Sequence, residues 1–284
     1  MLQKETNEMA LGQIRDIARQ ELIINIRNKW MIFFAVAFGL LVVGISYAGM
    51  TAEGFAGMQG FTRTSASLLN LVLYIVPLVA LTMGVLSFTG EKGSTELLFS
   101  QPVSRIEVLA GKLAGLFLSI ALTIFLGYSA AGVVVVAANG GEGLVRYAVF
   151  VLLSLGLAMA FLSIALLTTV LSRKRARAFG LALFLWFFFV LFYDLLALAG
   201  SLLFSGRSAT LFVFWSLFGN PVDVVRVASL ITLDNVTVFG VAGAALLRFL
   251  GGNAAGLAAL LGVMLVWIVW PVLISGVLIK KQDI

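Results

Sequence analysis

The chain contains no histidine and no cysteine among its 284 residues. That excludes disulfides, Cys/His zinc sites, haem ligation through histidine, thiolate nucleophiles and histidine general bases. Eight methionines remain as soft ligands, but methionine between apolar helices ordinarily fills space. A phosphate-binding P-loop needs a glycine five residues ahead of the glycine in a Gly-Lys-Ser/Thr run, so that backbone amides can cradle the phosphates. Here Gly111-Lys112 is followed by Leu113, and Ile106 stands where the earlier glycine belongs. No catalytic residue, cofactor or metal ligand is therefore expected in this chain. Two polar features remain. Asp194, in Phe192-Tyr193-Asp194-Leu195, is the one acid inside a long apolar run. It is a candidate intramembrane polar site, or else it lies near an interface or bonds a neighbouring helix. Asn220, Pro221, Asp223 and Arg226 form a candidate contact for an external partner, and Asp223 and Arg226 sit at i, i+3, where they can equally make a local staple.

The elements that must hold these residues are helices in lipid. Hydrophobic residues make up 61% of the chain and charged residues 11%, with a mean hydropathy of +1.10. Soluble domains sit near 45–50% apolar and about 25% charged, so lipid must solvate much of this surface. The reading is an all-α polytopic membrane protein with six transmembrane helices, over about 30–49, 68–88, 111–137, 145–171, 178–203 and 256–279. Each reaches the roughly 20 residues that cross a hydrocarbon core. Pro77 falls inside the second and predicts a kink. Residues 1–29 place Leu11, Ile14, Ile17, Ala18, Leu22 and Ile26 at helical spacing between charged residues. That predicts an amphipathic interfacial helix, on the membrane surface or on a soluble partner. The 204–255 segment is read as external. Leu211–Phe218 and Val236–Leu250 are apolar but short or interrupted, which suits helices lying on or dipping into the outer leaflet, with an extra hairpin pair as the alternative. Gly111/Gly115 and Gly252/Gly256 have spacings that permit close helix approach and are weak signs of a dimer face.

Fourteen of the nineteen Lys and Arg residues fall on one side of this plan, in 1–29, the loops between spans two and three and between spans four and five, and the tail. The positive-inside rule makes that side cytoplasmic and puts both termini there. The +6 net charge is thus accounted for by orientation, and no nucleic acid partner is expected; lipid is.

The cytoplasmic loop over 89–110 carries the most informative text: Phe88-Thr89-Gly90-Glu91-Lys92-Gly93-Ser94-Thr95-Glu96, then Gln101-Pro102-Val103-Ser104-Arg105, then Gly111-Lys112. This resembles the loop of ABC type 2 permeases, in which a Glu-x-x-x-Gly-Thr-like run and a Pro-x-Ser-Arg follow span two and a Gly-Lys opens span three. Ala18-Arg19-Gln20-Glu21-Leu22 and Arg27-Asn28-Lys29-Trp30 look like that family's interfacial helix. The resemblance implies a homodimeric permease without its own ATPase motif, docked on a separate cytoplasmic ABC ATPase that binds ATP and Mg. It implies a cytoplasmic coupling helix from Glu91 to Arg105, with Glu91, Gly93, Thr95, Glu96, Pro102 and Arg105 as ATPase-coupling residues; an ordinary solvated loop is the plain alternative. The cell location implied is the bacterial inner membrane.

Phe218-Gly219-Asn220-Pro221-Val222-Asp223-Val224-Val225-Arg226 is similar to an Asn-Pro-x-Asp-x-x-Arg segment of the family's nitrous oxide reductase maturation branch. That likeness implies a periplasmic β-helical accessory subunit and a role in assembling a copper-sulfide site. A chain without Cys or His is poorly equipped to relay copper, so the expected cargo is a sulfur species, or mechanical work alone. A generic exporter of lipid, drug or peptide and a non-transporting membrane scaffold are the alternatives.

Overall fold

In the computed structural model the described residues are 2–51, 57–89, 104–139, 144–172, 174–233 and 240–281. Among them no strand occurs. Helix α1 spans Leu2–Ile26, α2 Lys29–Thr51, α3 Gly57–Phe88, α4 Arg105–Asn139 and α5 Leu144–Ser172. The next long helix is interrupted: α6 covers Arg175–Phe187, a π-helical turn Phe188–Phe192, and α7 Tyr193–Ser201. There follow α8 (Arg207–Ser216), a 3₁₀ turn (Leu217–Gly219), α9 (Pro221–Thr232), α10 (Gly240–Leu250) and α11 (Asn253–Lys281).

Six helices among the described residues are long and apolar enough to cross a membrane: Lys29–Ala48, Ser67–Phe88, Arg105–Ala130, Leu144–Ser172, Arg175–Ser201 and Asn253–Lys281. These match the six spans read from the sequence, with shifted ends. Span three starts at Arg105 rather than 111 because Ser104 and Glu107 cap it reciprocally. The Ser104 amide donates to Glu107 Oε2 at 2.8 Å, and the Glu107 amide donates to Ser104 Oγ at 3.3 Å. That is the Ser-x-x-Glu capping box, which satisfies two orphan amides of a helix start. Arg105 therefore belongs to the first turn of α4. Helix α3 runs through Pro77 without a break in its assignment.

Span four, α5, is the axle of the bundle. Of its most apolar stretch 72% is buried, against 17% for spans five and six and 22% for span one. It packs against α3, α4, α6, α9 and α11. Small residues allow the closest approach: a Cβ added at Gly84 would lie 2.5 Å from Ala165 Cβ. Polar side chains pin helices together where lipid offers no competing partner. Tyr147 donates to the Tyr128 carbonyl at 2.8 Å, and Trp186 Nε1 donates to the Tyr74 carbonyl at 2.9 Å.

The amphipathic helix α1 is confirmed as a helix, and the middle of its apolar stripe, Ile14, Ile17 and Ala18, is seated on α4 of its own chain, while Leu11 and Ile26 stay exposed. A Cβ at Gly111 would meet Ile17 at 2.7 Å, and one at Gly115 would meet the Ala18 carbonyl and Glu21 Cβ. The Gly111/Gly115 pair is thus an intrachain seat for α1 and not a dimer face. The Gly252/Gly256 pair is likewise internal. Gly252 takes a positive φ of 98° in the turn that joins α10 to α11, a conformation open to glycine. Gly256 faces Leu250 and Ile231.

Candidate functional site

The interrupted helix and the segment after it make one polar centre inside the bundle. Helices α8 and α9 meet at an angle of 104° around the 3₁₀ turn. Both open ends of this hairpin lie at the far end of the bundle from the chain termini. Phe212 of α8 packs against Phe204, just beyond the end of span five, and Ile231 of α9 lies against Gly256 at the start of span six. Its tip reaches the middle. Asn220 Nδ2 donates to the Phe189 carbonyl at 2.9 Å, and Trp267 Nε1 donates to the Phe218 carbonyl at 3.2 Å. Phe189 is about 21 Å of helix from Arg175 and about 18 Å from Ser201 at 1.5 Å per residue, which is half-depth. Among the described residues, 207–232 is therefore a bent helix pair whose tip reaches the middle of the bundle, and the short helix α10 lies beyond it.

A backbone break at this depth must satisfy its own amides and carbonyls, because lipid supplies no partners. The sequence Asn220-Pro221-Val222-Asp223 does so for the start of α9. Asn220 is the N-cap, and its Oδ1 accepts from the Val222 amide at 3.0 Å. Pro221 occupies N1, where its missing N–H costs nothing. Both Nδ2 hydrogens of Asn220 are used, one on Phe189 and one on Asp223 Oδ2 at 2.9 Å. The end of α8 is closed from outside: Tyr193 donates to the Ser216 carbonyl at 2.8 Å. A Cβ at Gly219 would overlap the Tyr193 hydroxyl, so glycine is needed for the tip to pass beneath the tyrosine. The π-helical turn at 188–192 puts the Phe189 carbonyl within reach of Asn220, the kind of local adjustment often found at functional sites.

The centre's charges lie one to two turns beyond the tip. Arg226 Nη1 bonds Asp223 Oδ1 at 2.5 Å and Asp194 Oδ2 at 2.8 Å. Two carboxylates thus share one guanidinium nitrogen. The side chain of Asp223 is 11% exposed, that of Arg226 28% and that of Asp194 46%. Asp194, read from sequence as a lone intramembrane acid, is bonded to a neighbouring element, and Asp223 and Arg226 do pair at i, i+3. The external contact expected of Asn220, Pro221 and Asp223 is corrected. All three are buried, packed into the hairpin and against span five, because capping a helix inside lipid requires it. Alongside lies a cavity of about 400 Å³, bounded by α7, α8, α9 and α10.

A second polar cluster lies at the opposite end of the bundle. The Ser87 hydroxyl donates to Glu21 Oε1 at 2.5 Å, Asn25 Nδ2 donates to the same oxygen at 2.9 Å, and Lys112 Nζ donates to the Ser87 carbonyl at 3.1 Å. Glu21 and Asn25 are buried. This knot ties α1 to the last turn of α3 and the first turns of α4, the two ends from which the 90–103 loop departs. The sequence reading did not single out Glu21, Asn25, Ser87 or Lys112 as a group, nor Tyr193. Their pairings connect residues up to 66 positions apart, which periodicity does not register. Glu91, Gly93, Thr95, Glu96 and Pro102 lie outside the described residues.

The profile of the family described as ABC-2 family transporter protein matches residues 15–284. The chain is also 32% identical over 280 residues to a probable ABC transporter permease protein NosY of Stutzerimonas stutzeri, covering 96% of this chain and 99% of the relative. To a probable ABC transporter permease protein NosY of Pseudomonas aeruginosa it is 34% identical over 231 residues, 79% of this chain and 84% of that one. With six apolar spans, an amphipathic leader helix and a match across nearly its whole length, the chain belongs to the ABC-2 family of transporter proteins and is an ABC transporter permease, similar to NosY.

Proposed function

We propose that this permease is driven by a separate cytoplasmic ABC ATPase and works in the assembly of a copper-sulfide site, as its resemblance to the nitrous oxide reductase maturation branch implies. The observation that carries this reading is the likeness to NosY along 99% of the Stutzerimonas protein's length, which includes both the loop at 90–103 and the re-entrant hairpin. In this reading the chain acts as a homodimer in the bacterial inner membrane with both termini cytoplasmic. ATP and Mg are held by the ATPase, and a β-helical accessory subunit sits on the periplasmic face. Residues Glu91, Gly93, Thr95, Glu96, Pro102 and Arg105 form the contact through which nucleotide-driven motion enters the bundle, because a stiff charged segment between two spans can act as a lever. The Glu21–Ser87–Lys112 knot holds both ends of that segment to the leader helix, so a push on the loop reaches α1, α3 and α4 together. The moved species is a sulfur compound rather than copper, since thiolate and imidazole ligands are missing from this chain.

The test is affinity purification of the membrane complex with and without Glu91→Ala, scored by ATPase recovered and by copper-sulfide content of the reductase matured in the same cells. The reading expects a copurifying P-loop ATPase, with maturation lost in the variant. Full maturation in a strain lacking this permease overturns the copper-sulfide assignment, and absence of any copurifying ATPase overturns the coupling. The natural lack of cysteine also makes orientation testable by single introduced cysteines. A thiol at Lys174 should be labelled from the cytoplasm, and one at Ser205 from the periplasm; both positions are exposed.

A further inference from the structure

The cavity beside the re-entrant hairpin has no role in the reading above, and its chemistry is uneven. At about 400 Å³ it is in the range of sites for small organic molecules. Its deep end holds Asp194, Asp223 and Arg226; its outer walls are apolar, with Leu198, Leu230 and Leu246 among them. Asp194 follows the half-depth residue Phe189 by about 7 Å of helix, while Leu198 lies a further turn towards the far surface. A bilayer phospholipid has the opposite polarity, head at the surface and chains towards the middle. The cavity therefore suits a compact amphiphile that buries its polar group first.

The sign of that group follows from the count of charges. Two carboxylates face one guanidinium, so the centre carries a formal charge of −1. Asp223 is fully engaged, by Asn220 through Oδ2 and by Arg226 through Oδ1. Asp194 is less so: Arg226 bonds its Oδ2, and its side chain is 46% exposed. In surroundings of low dielectric a surplus carboxylate attracts a cationic or N–H-bearing group strongly and repels an anion. Arg226 does not reverse this, because its single positive charge is set against the two carboxylates that share its Nη1.

We propose that this cavity is a binding site for a small amphiphilic amine, with its ammonium on Asp194 Oδ1 and its apolar body between α7, α8 and α10. This is a property of the permease chain alone and does not depend on the cargo or on the ATPase. Occupancy would tie the exposed arm of the hairpin to span five.

The test uses the full chain in phosphatidylcholine nanodiscs, with empty nanodiscs as the background for partition. Three probes share one apolar body: 2-(1-naphthyl)ethylamine, 2-(1-naphthyl)ethanol and 3-(1-naphthyl)propionic acid. The amine should bind saturably, and about tenfold or more tighter than the other two, which corresponds to 1.4 kcal/mol or more. Asp194→Asn should abolish that preference while leaving weak binding of the alcohol unchanged. Leu198 is 62% exposed and lines the cavity, so Leu198→Trp can be accommodated without unfolding and should block all three probes. Equal binding of the three, preference for the acid, no saturable binding, or amine binding that survives Leu198→Trp overturns the proposal. Should Asp194→Asn not fold, the probe series and Leu198→Trp still decide.

Discussion

The two buried polar clusters of this bundle are built from similar parts and end in different states. At the terminal end, Glu21 receives two hydrogen bonds on one oxygen, and Lys112 bonds a backbone carbonyl a few residues from the loop. Ser87 and Lys112 bond from one helix to another, and Asn25 braces Glu21 within α1. In the hairpin, Asn220 is equally spent, but the chain of bonds runs on through Asp223 and Arg226 to Asp194, a half-exposed acid that lines a cavity. The first cluster is a knot that fixes three helices. The second is a structural cap at one end and an open charge at the other. A buried charge among membrane helices is thus not a site in itself; what distinguishes a site is capacity left over and room beside it.

Substitutions can break or sharpen this comparison. The largest effect is expected from Arg226→Met, which leaves two carboxylates without their cation. A loss of about 2–3 kcal/mol should appear as a lowered thermal midpoint of the purified chain, below the fully buried case because Arg226 keeps some exposure. Asn220→Ala comes next. It removes the N-cap and strands the Val222 amide and Phe189 carbonyl, for about 2 kcal/mol, with faster hydrogen exchange in 188–192 and 221–224. A smaller change would mean that the π-turn closes onto itself when its partner is gone. Glu21→Gln retains an acceptor for Ser87 and Asn25, so it should cost about 1 kcal/mol and shift protease access to α1 rather than to the hairpin. If instead it alters the hairpin's exchange, the two clusters are coupled through the bundle. Ser104→Ala should cost least, roughly 0.5 kcal/mol, because the capping box is exposed.

Much of this was legible in the text of the chain, and the misses have physical reasons. Ser104-x-x-Glu107 is a capping box that marks the true start of span three, yet the apolar run starts only at 111, because Arg105 and Glu107 interrupt it before that. Asn220-Pro221-x-Asp223 is equally a helix-start signature. Its polarity suggested an outer surface, since a helix start buried at half-depth is rare and only a tertiary contact, here the Phe189 carbonyl, shows that the turn lies inside. Gly111/Gly115 has the spacing of a close helix seat and gives a weak sign of a dimer face, but spacing does not say whose helix fills it; α1 of the same chain does.

The sequence by itself determined that this is a helical membrane protein with six spans, a leader helix, no Cys or His chemistry and no P-loop. Those properties follow from composition, run length and residue type, which are local quantities. Only the tertiary structure decided that 207–232 is a re-entrant hairpin, that Asp194 meets Arg226 across 32 positions, and that a cavity opens beside them. Depth in the bundle, unspent bonding capacity and empty volume are properties of several helices at once, and no stretch of one helix encodes them.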